Sequence, residues 1–139
     1  MITNERQYRI TKAQAARFCA ALVERQHQRI DPGDHPRLRQ VELDALRGQL
    51  DDLQAQLADY DALRAGQIPA PELTTYEDLP RALIRARIAA GLTQGDLAER
   101  LGLAEQQVQR YEATEYTQAS FARLREVMAA LQRPTTRSA

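Results

Sequence analysis

Tryptophan is absent from the 139 residues, phenylalanine occurs only twice and β-branched runs are scarce, so almost no strand is expected. Cys19 is the only cysteine, which excludes an intrachain disulfide, and no Cys/His cluster has the spacing of a zinc site. His27, Asp31, Asp34 and His35 gather around one turn but match no ligand motif. They read as solvated turn residues, and neither a metal nor a cofactor is expected. No stretch approaches the ~20 apolar residues of a membrane span, and the opening MITNERQYRI lacks the apolar core of an export signal. A cytoplasmic protein is expected. Lysine is nearly missing as well: Lys12 is the only one, and the bias toward arginine and alanine hints at a GC-rich bacterial genome. Charge of one sign is not in excess, since 19 basic residues balance 19 acidic ones. That balance argues against a nucleic-acid binder working by net charge alone and leaves shape and specific contacts. With no nucleophile motif, no phosphate-cradling glycine loop and no metal-ligand pair on a helix face, an enzyme is not expected.

What is present is helical periodicity. Thr11 followed by Gln14 has the form of a capping box, with Ile10 placed to staple against Ala15, and predicts a helix from about Lys12 to Gln28. Ala15, Phe18, Cys19 and Leu22 recur at steps of three and four, as one buried stripe. The turn RIDPGDHP then breaks the chain, and the next helix runs from Pro36 to Arg64. Leu43, Leu46, Leu50, Leu53, Leu57 and Tyr60 occupy a and d positions along it. A helix of that span is about 43 Å long, roughly twice the reach of the first one. The surplus leucine predicts a homodimer through a coiled coil, with Glu42 and Arg47 placed to pair between chains. The bland reading is a hairpin that packs within one chain.

Residues 65–77 contain Gly66, Pro69 and Pro71 and read as a linker. Four or five short helices follow. Leu79, Leu83, Ile84 and Ile88 give the inward face of the first, which Gly91 stops. Thr93 caps the second, with Leu97, Ala98 and Leu101 inward, and Gly102 turns the chain into the third. In that third helix Val108 and Tyr111 point to the core, so the opposite face carries Gln106, Gln109 and Arg110, flanked by Glu105 and Gln107. Gln can pair bidentately with adenine and Arg with guanine in the major groove of DNA, whereas a merely solvated face favours Glu–Lys pairs. Phe121, Leu124, Val127, Met128 and Leu131 are expected inward on the last helix, and 134–139 form a tail.

The combination of LTQGDLAERLGL with QQVQRYE resembles the helix-turn-helix of the phage repressor and Cro-like family, called XRE, over roughly Leu79 to Leu131. The resemblance implies an all-α chain: an N-terminal helical hairpin or coiled coil over 1–64, followed by a repressor-like domain over 78–133. It implies a phosphate contact by Gln94, base reading by Glu105, Gln106, Gln107 and Arg110, with Gln109 on the same face, and a structural ion pair between Arg87 and Glu112. Three residues depart from the family pattern: Ala104 replaces a usual Ser or Thr cap, Glu105 brings a negative charge near phosphates, and Thr114 replaces a frequent glycine. Glu105 can accept from cytosine or simply lower non-specific affinity. Residues 77–133 hold eight Arg against eight Asp and Glu, so one domain alone should bind weakly and a dimer on two half-sites of an operator is expected. A helical segment before such a domain also resembles antitoxins of bacterial toxin-antitoxin operons, the HigA-like group among them. That resemblance implies a toxin partner for the N-terminal helices. A plain repressor and a coiled-coil interaction protein are the other readings.

Overall fold

The computed structural model describes residues 1–67 and 75–134, and every regular element among them is helical. In chain order these are α1 (Glu5–His27), α2 (Pro36–Arg64), a 3-10 turn (Tyr76–Asp78), α3 (Leu79–Ala89), α4 (Gln94–Leu101), α5 (Glu105–Ala113) and α6 (Phe121–Gln132). Of the linker expected over 65–77, residues 68–74 lie outside the described residues, as do 135–139 of the expected tail. Among the described residues no helix is long and apolar enough to cross a membrane. The chain divides into two compact units, Met1–Asp59 and Tyr60–Ala139.

In the first unit, α1 begins seven residues earlier than Lys12. Asn4 is the cap: its side chain accepts from the Gln7 backbone N–H, while the Gln7 side chain accepts from the Thr3 N–H and hydroxyl. Asn4 and Gln7 repeat the spacing of Thr11 and Gln14, and starting at the earlier pair lets Thr11 and Ala15 be buried inside one continuous helix. Ile10 therefore staples nothing and stays 49% exposed. Cys19 is also exposed, because the inward stripe runs through Thr11, Ala15, Phe18 and Leu22.

Pro36 opens α2, where its missing N–H costs nothing. The two helices run antiparallel, as Arg25 shows by reaching Glu42, with its Nε 2.9 Å from a Glu42 carboxylate oxygen. Arg39 closes the hairpin at its turn. One guanidinium nitrogen donates to the carbonyls of Arg25, Gln26 and Gln28 at 2.8, 3.3 and 3.0 Å, satisfying the bare C-terminal end of α1. At 23 residues α1 is about 34 Å long. The leucine surplus expected from a shorter first helix is correspondingly smaller. Within the single chain Leu43, Leu50 and Tyr60 are buried, and Leu46, Leu53 and Leu57 are half-buried.

In the second unit α4 packs on α5 and α6, and α3 packs on α6. Leu97 and Val127 have no exposed surface, and Leu83, Ile84, Ile88 and Val108 are buried in the same unit. Tyr60 and Leu63, from the last turns of α2, belong to this unit and are 5% and 1% exposed. Gly91 and Gly102 end α3 and α4 at φ +71° and +66°, and in each case the next residue's N–H returns to a carbonyl one turn back. Those left-handed positions are open to glycine without a Cβ penalty. Phe121 and Met128 differ from expectation, being 74% and 38% exposed. At 100° per residue both lie roughly 100–120° from Val127, so the inward face of α6 is Leu124, Val127, Ala130 and Leu131 instead.

Candidate nucleic-acid interface

The local chemistry of α4 begins with its cap. Thr93 accepts from the Asp96 N–H at 3.0 Å, and the Asp96 carboxylate accepts from the Thr93 N–H at 2.8 Å. This reciprocal box fixes where α4 starts, and Gly102 fixes where it ends. Three residues later α5 begins, so the angle between the two helices is set by a short, glycine-bearing turn.

Beneath them lies a buried polar cluster. Arg87 of α3 forms a two-pronged pair with Glu112 of α5, at 2.6 Å from Nε and 2.9 Å from the second terminal nitrogen. The remaining prong donates to the Leu92 carbonyl at 2.8 Å. Both side chains are 3% exposed or less. Gln94 joins them, its amide donating to Glu112 at 2.7 Å. Gln94, expected at a phosphate, is 6% exposed and holds the carboxylate of the ion pair. Its amide nitrogen keeps a second hydrogen. This engagement was not legible from the sequence, because Gln94 and Glu112 are distant in the chain and only the crossing of α4 and α5 brings them together.

On α5, Glu105, Gln106, Gln109 and Arg110 are exposed and Gln107 is half-buried, with Val108 in the core opposite Gln106 and Arg110. They divide into two kinds. Gln106 and Arg110 have no side-chain partner among the described residues, so an exposed amide and an exposed guanidinium are left unengaged. Glu105 and Gln109 are joined, the Gln109 amide donating to Glu105 at 3.2 Å. Glu105 also leans on the start of α4, where a Cβ on Gly95 would stand 3.4 Å from its carboxylate oxygen. Ala104 caps α5 without a side-chain bond, and Glu105 in the first turn suits the positive end of the helix.

After α5 the chain turns with Glu115 and Tyr116 at φ +49° and +57°. Thr114, standing where glycine is frequent, keeps a negative φ, and its hydroxyl donates to the Arg110 carbonyl at 2.9 Å. Tyr116 is buried and stacks on Tyr111 with ring centroids 5.8 Å apart. Burial, and next the negative charge of Glu112, push the Tyr116 hydroxyl above the ordinary tyrosine range. A group with a raised folded-state pKa stabilises fully below its unfolded value, near 10, and loses that contribution as pH rises beyond it. Thermal unfolding followed between pH 8 and 11 is expected to show an alkaline decline that Tyr116→Phe flattens. An unchanged decline in the variant would assign it to other groups.

Residues 83–137 match the family model HTH_3, a helix-turn-helix. The match supports a DNA-binding regulator of the XRE type over this segment. No curated protein and no solved structure matches the chain. The matched helix-turn-helix domain contains α4 and α5, along with every expected base-reading residue and most of α3.

Proposed function

We propose that the protein is a sequence-specific transcriptional repressor that inserts α5 into the major groove of double-stranded DNA. The observation that carries this reading is the pair of unengaged side chains, Gln106 and Arg110, projecting from the face of α5 opposite Val108. Each has the geometry to read one purine edge by two hydrogen bonds, Gln at adenine and Arg at guanine. Glu105 and Gln109, already joined, present a carboxylate that can accept from cytosine N4. The second hydrogen of the Gln94 amide is offered to a phosphate beside α4. Gln107 at the edge of the face supports the readers rather than leading them.

Eight basic and eight acidic side chains over residues 77–133 give one domain little attraction for phosphates in general. Two copies on half-sites about one helical turn apart are the way such a domain reaches useful affinity. The N-terminal hairpin is the part of this chain that would hold two copies together.

Selection of an operator from random duplexes, followed by competition binding, tests the reading. Gln106→Ala and Arg110→Ala are each expected to lose about 1–3 kcal/mol of discrimination at one or two base pairs per half-site. Because both side chains are exposed and unpartnered, the fold should persist. Gln94→Ala should weaken all sequences about equally, since phosphate contacts carry no sequence information. Unaltered operator preference in both the Gln106 and Arg110 variants would remove α5 as the reading element.

A second reading adds an antitoxin role. Ile30 and Val41, near the hairpin turn, are 65% and 62% exposed and supply an apolar surface for a protein partner. Co-expression with the adjacent gene product tests it: a toxic neighbour tolerated only alongside this protein supports the role, and a harmless neighbour leaves a plain repressor.

A further inference from the structure

The reading above needs two copies, and α1 already covers much of the leucine stripe that the sequence offers for joining them. Another face of the hairpin is open. Between α1 and α2 lies a groove of about 550 Å³ with an apolar floor of Phe18, Ala21, Ala45 and Leu46. Glu24, Gln28 and Gln49 also line it, and the paired Arg25 and Glu42 form part of its wall.

We propose that this groove face is the homodimer interface, with a second copy of the chain docked on it about a two-fold axis. The proposal rests on the reading that operator binding requires two copies. The occupant is identified by charge. Arg17 and Glu24 are seven residues apart, hence on one face of α1, and both are exposed. Neither side chain has a partner among the described residues. Glu24 lines the groove, and Arg17 lies one turn before Ala21 on the same helix. A two-fold axis between Ala20 and Ala21 of antiparallel α1 helices brings Arg17, three residues before it, onto the partner's Glu24, three residues beyond it. The reciprocal pair forms at the same time, as an isologous contact demands. The residues at the axis are alanines, small enough for the two helices to approach at about 8 Å. Ile10, a further seven residues before Arg17 and 49% exposed, extends the same face. The surface is thus complementary to itself: an apolar floor, small residues on the axis and one cation facing one anion on each side of it.

Sedimentation of the full chain without DNA tests this. The expected state is a dimer. Arg17→Glu alone or Glu24→Arg alone places like charges together twice and should weaken dimerisation on the order of tenfold. The double reversal, Arg17→Glu with Glu24→Arg, should restore it, a rescue that a merely local effect on α1 would not give. Ala45→Glu, at an exposed position, should weaken the dimer by ~100-fold or more with helical content unchanged. A dimer insensitive to all four changes overturns the inference, as does one broken only by Phe121→Glu on α6. A monomeric wild-type chain overturns it as well. Operator selection by Gln106 and Arg110, measured separately on DNA, stands or falls independently of these outcomes.

Discussion

Glu112→Ala is expected to unfold the C-terminal unit under conditions where the wild-type chain is stable. Removing the carboxylate leaves the Arg87 guanidinium, 3% exposed, without its counter-charge, and strips the Gln94 amide of its acceptor. An uncompensated buried charge costs about 3–5 kcal/mol, against a total stability of roughly 5–15 kcal/mol for a domain. Urea unfolding followed by helical circular dichroism measures the loss. Arg87→Met combined with Glu112→Leu should recover most of it, because neither charge is then left buried alone. A Glu112→Ala midpoint equal to wild type would mean that water reaches the site and that the pair is only nominally buried. Operator binding should fall with stability, since Glu112 ties α5 to α3 and, through Gln94, to the start of α4.

Leu63→Ala is expected to destabilise the same unit by about 2–5 kcal/mol, the range for truncating a buried leucine. Leu63 is 1% exposed and, with Tyr60, falls on the C-terminal side of the boundary between the two units. The loss should therefore appear in the unfolding of the DNA-binding unit, read by the tyrosine pair Tyr111 and Tyr116. A chain starting at Tyr60 should resist urea better than one starting at Thr75. Equal midpoints for those two fragments would make the last turns of α2 dispensable and move the boundary to Arg64.

Where side chains repeat at short range, the sequence was readable. Pro36 and Arg64 bound α2 as expected, Thr93 with Asp96 marked the start of α4, and Gly91 and Gly102 marked two helix ends. Each of those signals acts within one turn of the chain, where cap chemistry and backbone conformation decide. The start of α1 was harder because two caps of the same form, Asn4 with Gln7 and Thr11 with Gln14, compete, and the helix begins at the first with Thr11 buried inside it. Phe121 and Met128 were misplaced for a related reason. A helix with apolar residues at 121, 124, 127, 128 and 131 has a stripe too wide for one core, and the position of α3 and α4 selects which edge is covered. The outer face of α5 followed from Val108 and Tyr111, since residues placed inward fix the rotation of a helix. Which of its residues are free was not legible, because the Gln109 bond to Glu105 depends on rotamers.

Gly95 places a position of α4 beside the face of α5 proposed to read DNA. In a helix a glycine is about 0.5–1 kcal/mol less favourable than alanine, and here its bare α-carbon faces the Glu105 carboxylate. An alanine there would rest its Cβ against that carboxylate in ordinary van der Waals contact, 3.4 Å from the nearer oxygen. Glu105, proposed above to accept from a base, therefore has neighbours both on α5, in Gln109, and on the preceding helix, at residue 95. Under the proposed readout, libraries that vary residue 95 together with residue 105 are expected to reach base preferences that randomising α5 alone does not.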